Sequence, residues 1–345
     1  MSRERPNYTE MARQEVWDWL RLSRATPPGA ASDAHDAPIY RASLQQFEDL
    51  MRAAEMTGPA GRPLPLYYAV SQAGRVLQAC RGEQAPRSHG LTIKTAEPLL
   101  DALVKPNGNG QFQAVSACLE SATLPRAAPL GALMASLPEL ATYLPEDAPW
   151  PHPLAVWAVD EQHPSIHWQR ILVTFEGDPS ATEIDQILAA YPEASGRLRR
   201  ASQFSQTDMT PDYQQATQFF WNKIPDDVAT RLDPEILSGG DALVAEYGQL
   251  EACFPEYRRP DRRWLRPAVV PDYPPPSPLM TWWIILYALS MAARYDPVSW
   301  VRSLEVDSSP IAVLLSRCMT EALDAVPVLV LDAIHDLTSD DMNRI

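Results

Sequence analysis

The 345-residue sequence lacks the short motifs that mark common chemistries. GxxxxGK[ST], GxGxxG, HExxH and GxSxG are all missing. Phosphate-cradling loops, dinucleotide folds, zinc proteases and serine hydrolases therefore get no local support. Cysteine is scarce as well: Cys80, Cys118, Cys253 and Cys318 lie far apart, with no CxxC and no Cys/His spacing suited to zinc. Positive charge is short, with 29 Lys and Arg against 44 Asp and Glu and a net charge of −15. That balance opposes loose adhesion to nucleic acid or to anionic membranes. Residues 1–20 hold no apolar stretch of the secretory type, and the expectation is a cytoplasmic protein with reduced thiols. The longest uncharged apolar run, 280–293, would span about 21 Å as a helix against a hydrocarbon core of about 30 Å. No membrane span is expected.

What the sequence does hold is material for a packed core. Hydrophobic residues make up 46% of the chain and tryptophan occurs ten times, so a globule is expected and not a disordered tail. The 34 prolines predict many helix stops and stiff loops. Helices are predicted over 10–23, 41–55 and 64–82, the second with Leu44, Phe47, Leu50, Met51 and Ala54 as one apolar stripe. The third starts at a proline and ends at Gly82, and 89–94 reads as extended. In the middle, 154–160 and 165–178 read as an antiparallel pair of strands. Ser180 and Glu183 fit a capping box for a helix to 190, and 263–270 reads as a short strand. The proline-rich 271–278 leads into a helix with no polar face, which stops at Arg294-Tyr295-Asp296-Pro297. A last helix carries Leu314, Leu315, Cys318, Ala322, Leu323 and Val326 on one stripe, with Pro327 expected to start or kink the one after it. The fold class is therefore mainly α (α+β). Segments 1–150 and 279–345 are expected to form a buried helical core, and 151–278 a small antiparallel β/α middle section.

Two groups of residues stand out as candidate sites. Gln72 and Arg75 sit within the apolar helix 64–82, where an unpaired arginine is costly and needs a carboxylate, an anion or an exit to solvent. His89 precedes Gly90, and Arg294 and Tyr295 end the apolar helix, where a cation also complements the helix dipole and simple capping explains much of the pattern. These five define a ligand-binding candidate in a cleft between the helical segments. The second group is Arg258, Arg259, Arg262, Arg263, Trp264 and Arg266, a spacing that can grip phosphates and stack a base, or form an ion network with nearby acids. His163 or His167 with Asp160 could approach across a hairpin, yet no metal and no cofactor is expected. No residue is singled out as catalytic.

Two blocks in order, PLPLYYAVSQAGRVLQAC with HGL (63–91) and PLMTWWIILYALSMAARYDPVSW (278–300), resemble the YaaC-like family of bacterial proteins. Gln72 and Arg75 stand where that pattern is expected to have asparagine and lysine. The resemblance implies a fold more than an activity. No histidine follows an arginine at the spacing used by helical ribonucleases of the HEPN type, which argues against that activity. The expectation is a non-catalytic binding or regulatory protein working with a protein partner or as a homo-oligomer. One alternative is a nucleic-acid-directed component of a bacterial defence or processing system using the arginine group. A second is an enzyme on a small anionic substrate, with Arg75 as anchor and His89 as acid–base residue.

Overall fold

The computed structural model describes residues 11–158, 168–175, 179–192, 194, 198–200, 216–222, 256–259 and 262–338. The chain divides into two units, one formed by residues 1–151 with 275–345 and the other by residues 152–274.

The first unit is helical. It begins with α1 (Arg13–Ala25), α2 (Ala37–Met56) and α3 (Pro63–Cys80). Trp17 of α1 and Phe47 of α2 meet at 5.4 Å between ring centroids, each the core-facing member of an amphipathic helix. α3 opens on a proline and closes in a Schellman arrangement: Glu83 N–H donates to the Gln78 carbonyl and Gly82 N–H to Ala79, with Gly82 at φ +69°. Next come β1 (Leu91–Lys94), β2 (Leu103–Pro106), α4 (Gln111–Cys118), β3 (Ala128–Pro129), α5 (Leu130–Ala135) and α6 (Pro138–Ala141). The three strands form one antiparallel sheet in the order β1-β2-β3.

In the second unit, strands β4 (Leu154–Ala158), β5 (Trp168–Thr174), β6 (Leu198–Arg200), β7 (Ala216–Asn222), β8 (Glu256–Arg259) and β9 (Arg262–Leu265) form an antiparallel sheet in the order β6-β7-β5-β4-β9-β8. The expected pairing of β4 with β5 is present, with Val156 opposite Val173. Helix α7 (Ala181–Leu188) has the expected capping box: the Ser180 hydroxyl accepts from Glu183 N–H, and the Glu183 carboxylate accepts from Ser180 N–H at 2.7 Å. Val156, Val173, Phe175, Ile184, Tyr191 and Leu265 form its core. β9 stops at Leu265, well short of residue 270, because Pro267 has no N–H for the ladder.

The chain returns to the first unit as α8 (Pro278–Tyr295), α9 (Pro297–Ser303) and α10 (Ala312–Leu337). Residues 279–292 of α8 are all buried, as a helix with no polar face requires. α3 packs against α2, α4, α8 and α10, so it is as central as α8. Gly74 makes the α3–α8 approach close enough: a Cβ there would lie 2.5 Å from the Trp283 ring. Pro327 does not divide the last helical segment; α10 runs through it as one helix. Its buried stripe on α3 and α1 supplies the packing that outweighs the missing hydrogen bond. Among the described residues, no helix is long and apolar enough to cross a membrane.

Candidate functional site

The site grows from the first turns of α3. Tyr67 faces inward and is 1% exposed, whereas Tyr68, one position on, is 41% exposed. Helical spacing of i, i+4 and i+7 places Tyr68, Gln72 and Arg75 on one stripe, and all three keep some exposure while most of α3 is buried. A buried tyrosine needs a partner for its hydroxyl, and Tyr67 finds it in His89 Nδ1 at 2.8 Å.

His89 reaches that position because its loop is fixed through the backbone. The Ser88 and His89 carbonyls accept from the Gln111 and Phe112 N–H groups that open α4. Gly90, at φ +82°, accepts from Asn107 N–H and from the Gln113 amide. A Cβ on Gly90 would lie 2.0 Å from Gln113 Oε1, so only glycine fits. α4 is in turn tied to α3 by a reciprocal pair: buried Gln111 donates to the Ser71 carbonyl and accepts from the Ser71 hydroxyl at 2.7 Å.

α8 completes the cluster. The Tyr287 ring stands edge-on to Tyr67 at 5.5 Å, and its hydroxyl donates to the Leu91 carbonyl at 2.9 Å. Two turns further on, Arg294 lies over the Tyr295 ring at 5.1 Å and contacts its hydroxyl. Burial raises the phenol pKa of both Tyr67 and Tyr287, and the positive charge of Arg294 offsets part of that rise. The result is two neutral buried tyrosines beneath an exposed histidine, an exposed arginine and an exposed tyrosine.

Arg294 and Tyr295 hold their place because the helix must stop there. Asp296 closes α8 and also opens α9, its carboxylate accepting from Ser299 N–H at 3.2 Å, with Pro297 as the first residue of the new helix. Trp300 anchors α9 by donating to the Ala60 carbonyl at 2.8 Å. The outer side of this corner leaves Val298 70% and Val301 47% exposed, next in sequence to Tyr295 at 71%.

Of the five expected ligand residues, His89, Arg294 and Tyr295 meet around the Tyr67–Tyr287 pair. Gln72 and Arg75 share their own stripe, about 10 Å along the α3 axis from Tyr68 in the case of Arg75. Among the described residues the Arg75 Nε is buried with no hydrogen-bond partner. In the second unit, Arg258 pairs with Arg263 and Arg259 with Arg262 across the β8–β9 ribbon. Trp264 is partly buried and Arg266 is 2% exposed, so neither of these two is presented openly. Asp160, His163, His167 and Cys253 lie outside the described residues. Cys80, Cys118 and Cys318 are free and buried, and burial pushes all three thiols up, Cys118 to about 11. Such thiols are poor nucleophiles near neutral pH. Tyr67, Tyr287, Ser71 and Gln111 join the site without having been expected there; the signal that marks them is a polar side chain inside an apolar helix.

The class of protein this architecture defines is a mainly helical core with a small antiparallel sheet packed on it, and a tyrosine–histidine–arginine corner where two core helices meet. The chain belongs to the YaaC-like protein family, whose sequence profile matches residues 16–334. No curated protein and no solved structure matches it.

Proposed function

We propose that this YaaC-like chain is a non-catalytic, cytoplasmic binding or regulatory protein that works in complex with a protein partner, either a different chain or a second copy. The partner docks on the corner formed by His89, Arg294, Tyr295, Val298 and Val301. The observation that carries this reading is the exposed Tyr295-Val298-Val301 succession beside Arg294, held by a rigid helix–helix corner. Tyrosine and arginine beside apolar residues on a fixed backbone is the composition of interface hot spots. The Tyr67–His89 hydrogen bond and the Tyr287 ring support that surface from below. The buried thiols carry raised pKa values and are poor nucleophiles near neutral pH. Free cysteines in the buried core fit a reducing compartment. The nucleic-acid reading draws less support, since Arg266 is buried and the net charge is −15.

The test is gentle affinity purification from the native host, followed by mass spectrometry, light scattering and the 260/280 nm absorbance ratio. The wild-type chain is expected to carry a protein partner in stoichiometric amount, or to form a defined oligomer. Val298→Glu is expected to lose it while keeping the circular-dichroism spectrum and thermal midpoint. Equal recovery with Val298→Glu, or nucleic acid that salt removes in place of a protein, overturns the reading.

A further inference from the structure

α1 and α2 carry a second polar feature that the corner does not involve. A broad, solvent-open groove lies between them, lined by Arg21, Arg24 and Ala25 of α1 and by Pro38, Arg41 and Gln45 of α2. The spacing i, i+3, i+4 on one helix and i, i+3, i+7 on the other brings these positions to facing stripes. Three arginines line the groove and no carboxylate does. On a chain of net charge −15, that is a local excess of positive charge along the groove lining.

The guanidiniums are held from beneath. Glu48 is 5% exposed, and its Oε1 accepts from Arg21 Nε at 3.0 Å and Nη2 at 2.8 Å and from Arg52 Nη2 at 2.5 Å. Its Oε2 lies 3.4 Å from Arg24 Nη1, which also donates to the Gln45 side chain. The Glu48 hydrogen bond raises the Arg21 pKa further, so the charge is permanent. One buried carboxylate therefore positions arginines whose charge it only partly cancels. Asp18 and Asp49, which bond Arg21 and Gln45, are exposed and lie outside the groove lining. Among the described residues Arg24 uses only Nη1, and Arg41 only Nε, to the Arg24 carbonyl at 3.3 Å. The remaining donors of both forks are unused.

We propose that this groove binds a small molecule carrying phosphate groups. Planar guanidinium forks match phosphate oxygens two at a time, and prior positioning by Glu48 lowers the cost of ordering them. Ala25 and Pro38 supply the apolar part of the wall.

The experiment is isothermal titration and thermal shift of the full chain with sodium pyrophosphate and with ATP, at fixed ionic strength, with sulfate as the control anion. Both probes are expected to bind and raise the melting temperature, while sulfate at the same ionic strength does neither. Arg24→Gln and Arg41→Gln should each weaken binding about tenfold or more, whereas Arg317→Gln, remote on α10, should bind as wild type. Arg41 is exposed and makes one backbone contact, so its replacement is expected to leave the unliganded melting temperature unchanged. ATP binding more tightly than pyrophosphate identifies a nucleoside phosphate; equal affinities identify the phosphate groups alone. Absence of binding, sulfate matching the probes, or unaltered affinity in both groove variants overturns the proposal. A short single-stranded RNA that binds more tightly than ATP with a steep salt dependence does so as well.

Discussion

Tyr67 and Tyr287 lie deep in apolar helices, and each keeps a neutral hydroxyl because it found one acceptor or partner, His89 or the Leu91 carbonyl. The same burial governs Tyr40, whose hydroxyl donates to Ser23 between α2 and α1, and the thiols of Cys80, Cys118 and Cys318. All are acids that are neutral when protonated, and desolvation raises their pKa in the folded state. The unfolded chain then releases these protons at lower pH than the folded one, so it binds fewer protons in alkali, and stability falls as pH rises. For Cys118 the window runs from the ordinary thiol value of 9 to about 11. Urea midpoints are expected to hold below pH 8.5 and to decline steadily between pH 9 and 11. A midpoint that stays level across that interval would show that the buried acids titrate alike in both states.

At the scale of elements, termini matter more than interiors. α8 and α9 share Asp296, which ends one helix and caps the next, and this single residue sets the turn that presents Arg294, Tyr295 and Val298. Replacing Asp296 by alanine removes the hydrogen bond to Ser299 N–H at 3.2 Å and is expected to cost about 1 kcal/mol. A chemical denaturation series on Asp296→Ala checks this. Asp296→Asn, which can still cap, should recover most of the loss, and an equal loss in both variants would place the effect in charge and not in capping. α4 depends on its start in the same way, since its first N–H groups bond the Ser88 and His89 carbonyls.

For the molecule as a whole, the first unit is built from segments far apart in sequence, 1–151 and 275–345. α3 lies against α8 and α10, and the Trp283 ring occupies the space that Gly74 leaves open. Residues 1–151 alone would expose that face of α3 to water, with no substitute for the fully buried Trp282, Trp283 and Ile284 side chains. The isolated 1–151 fragment is expected to lack cooperative thermal unfolding, and coexpression with 275–345 should restore it. Calorimetry of the fragment with and without its complement is the measurement. A cooperative transition in the fragment alone would mean that it carries a sufficient core of its own.

Periodicity and end signals made much of this protein readable in one dimension. The α2 stripe of Leu44, Phe47, Met51 and Ala54 (Leu50 is only partly buried), the proline start and Gly82 stop of α3, the Ser180 capping box and the polar-free α8 all follow from local rules that a sequence states directly. The mainly helical class and the YaaC-like family follow from the same residues. Pro327 starts no new helix, because packing along the buried stripe of α10 carries the helix past the hydrogen bond that a proline lacks. Long-range packing also decided the polar arrangements. Tyr67 meets His89 across 22 positions, Tyr287 meets Leu91 across 196, and Glu48 gathers Arg21 and Arg24 from another helix. Hydrogen bonds and ion pairs depend on distances of a few ångströms in space, and helix crossing, not sequence spacing, sets those distances.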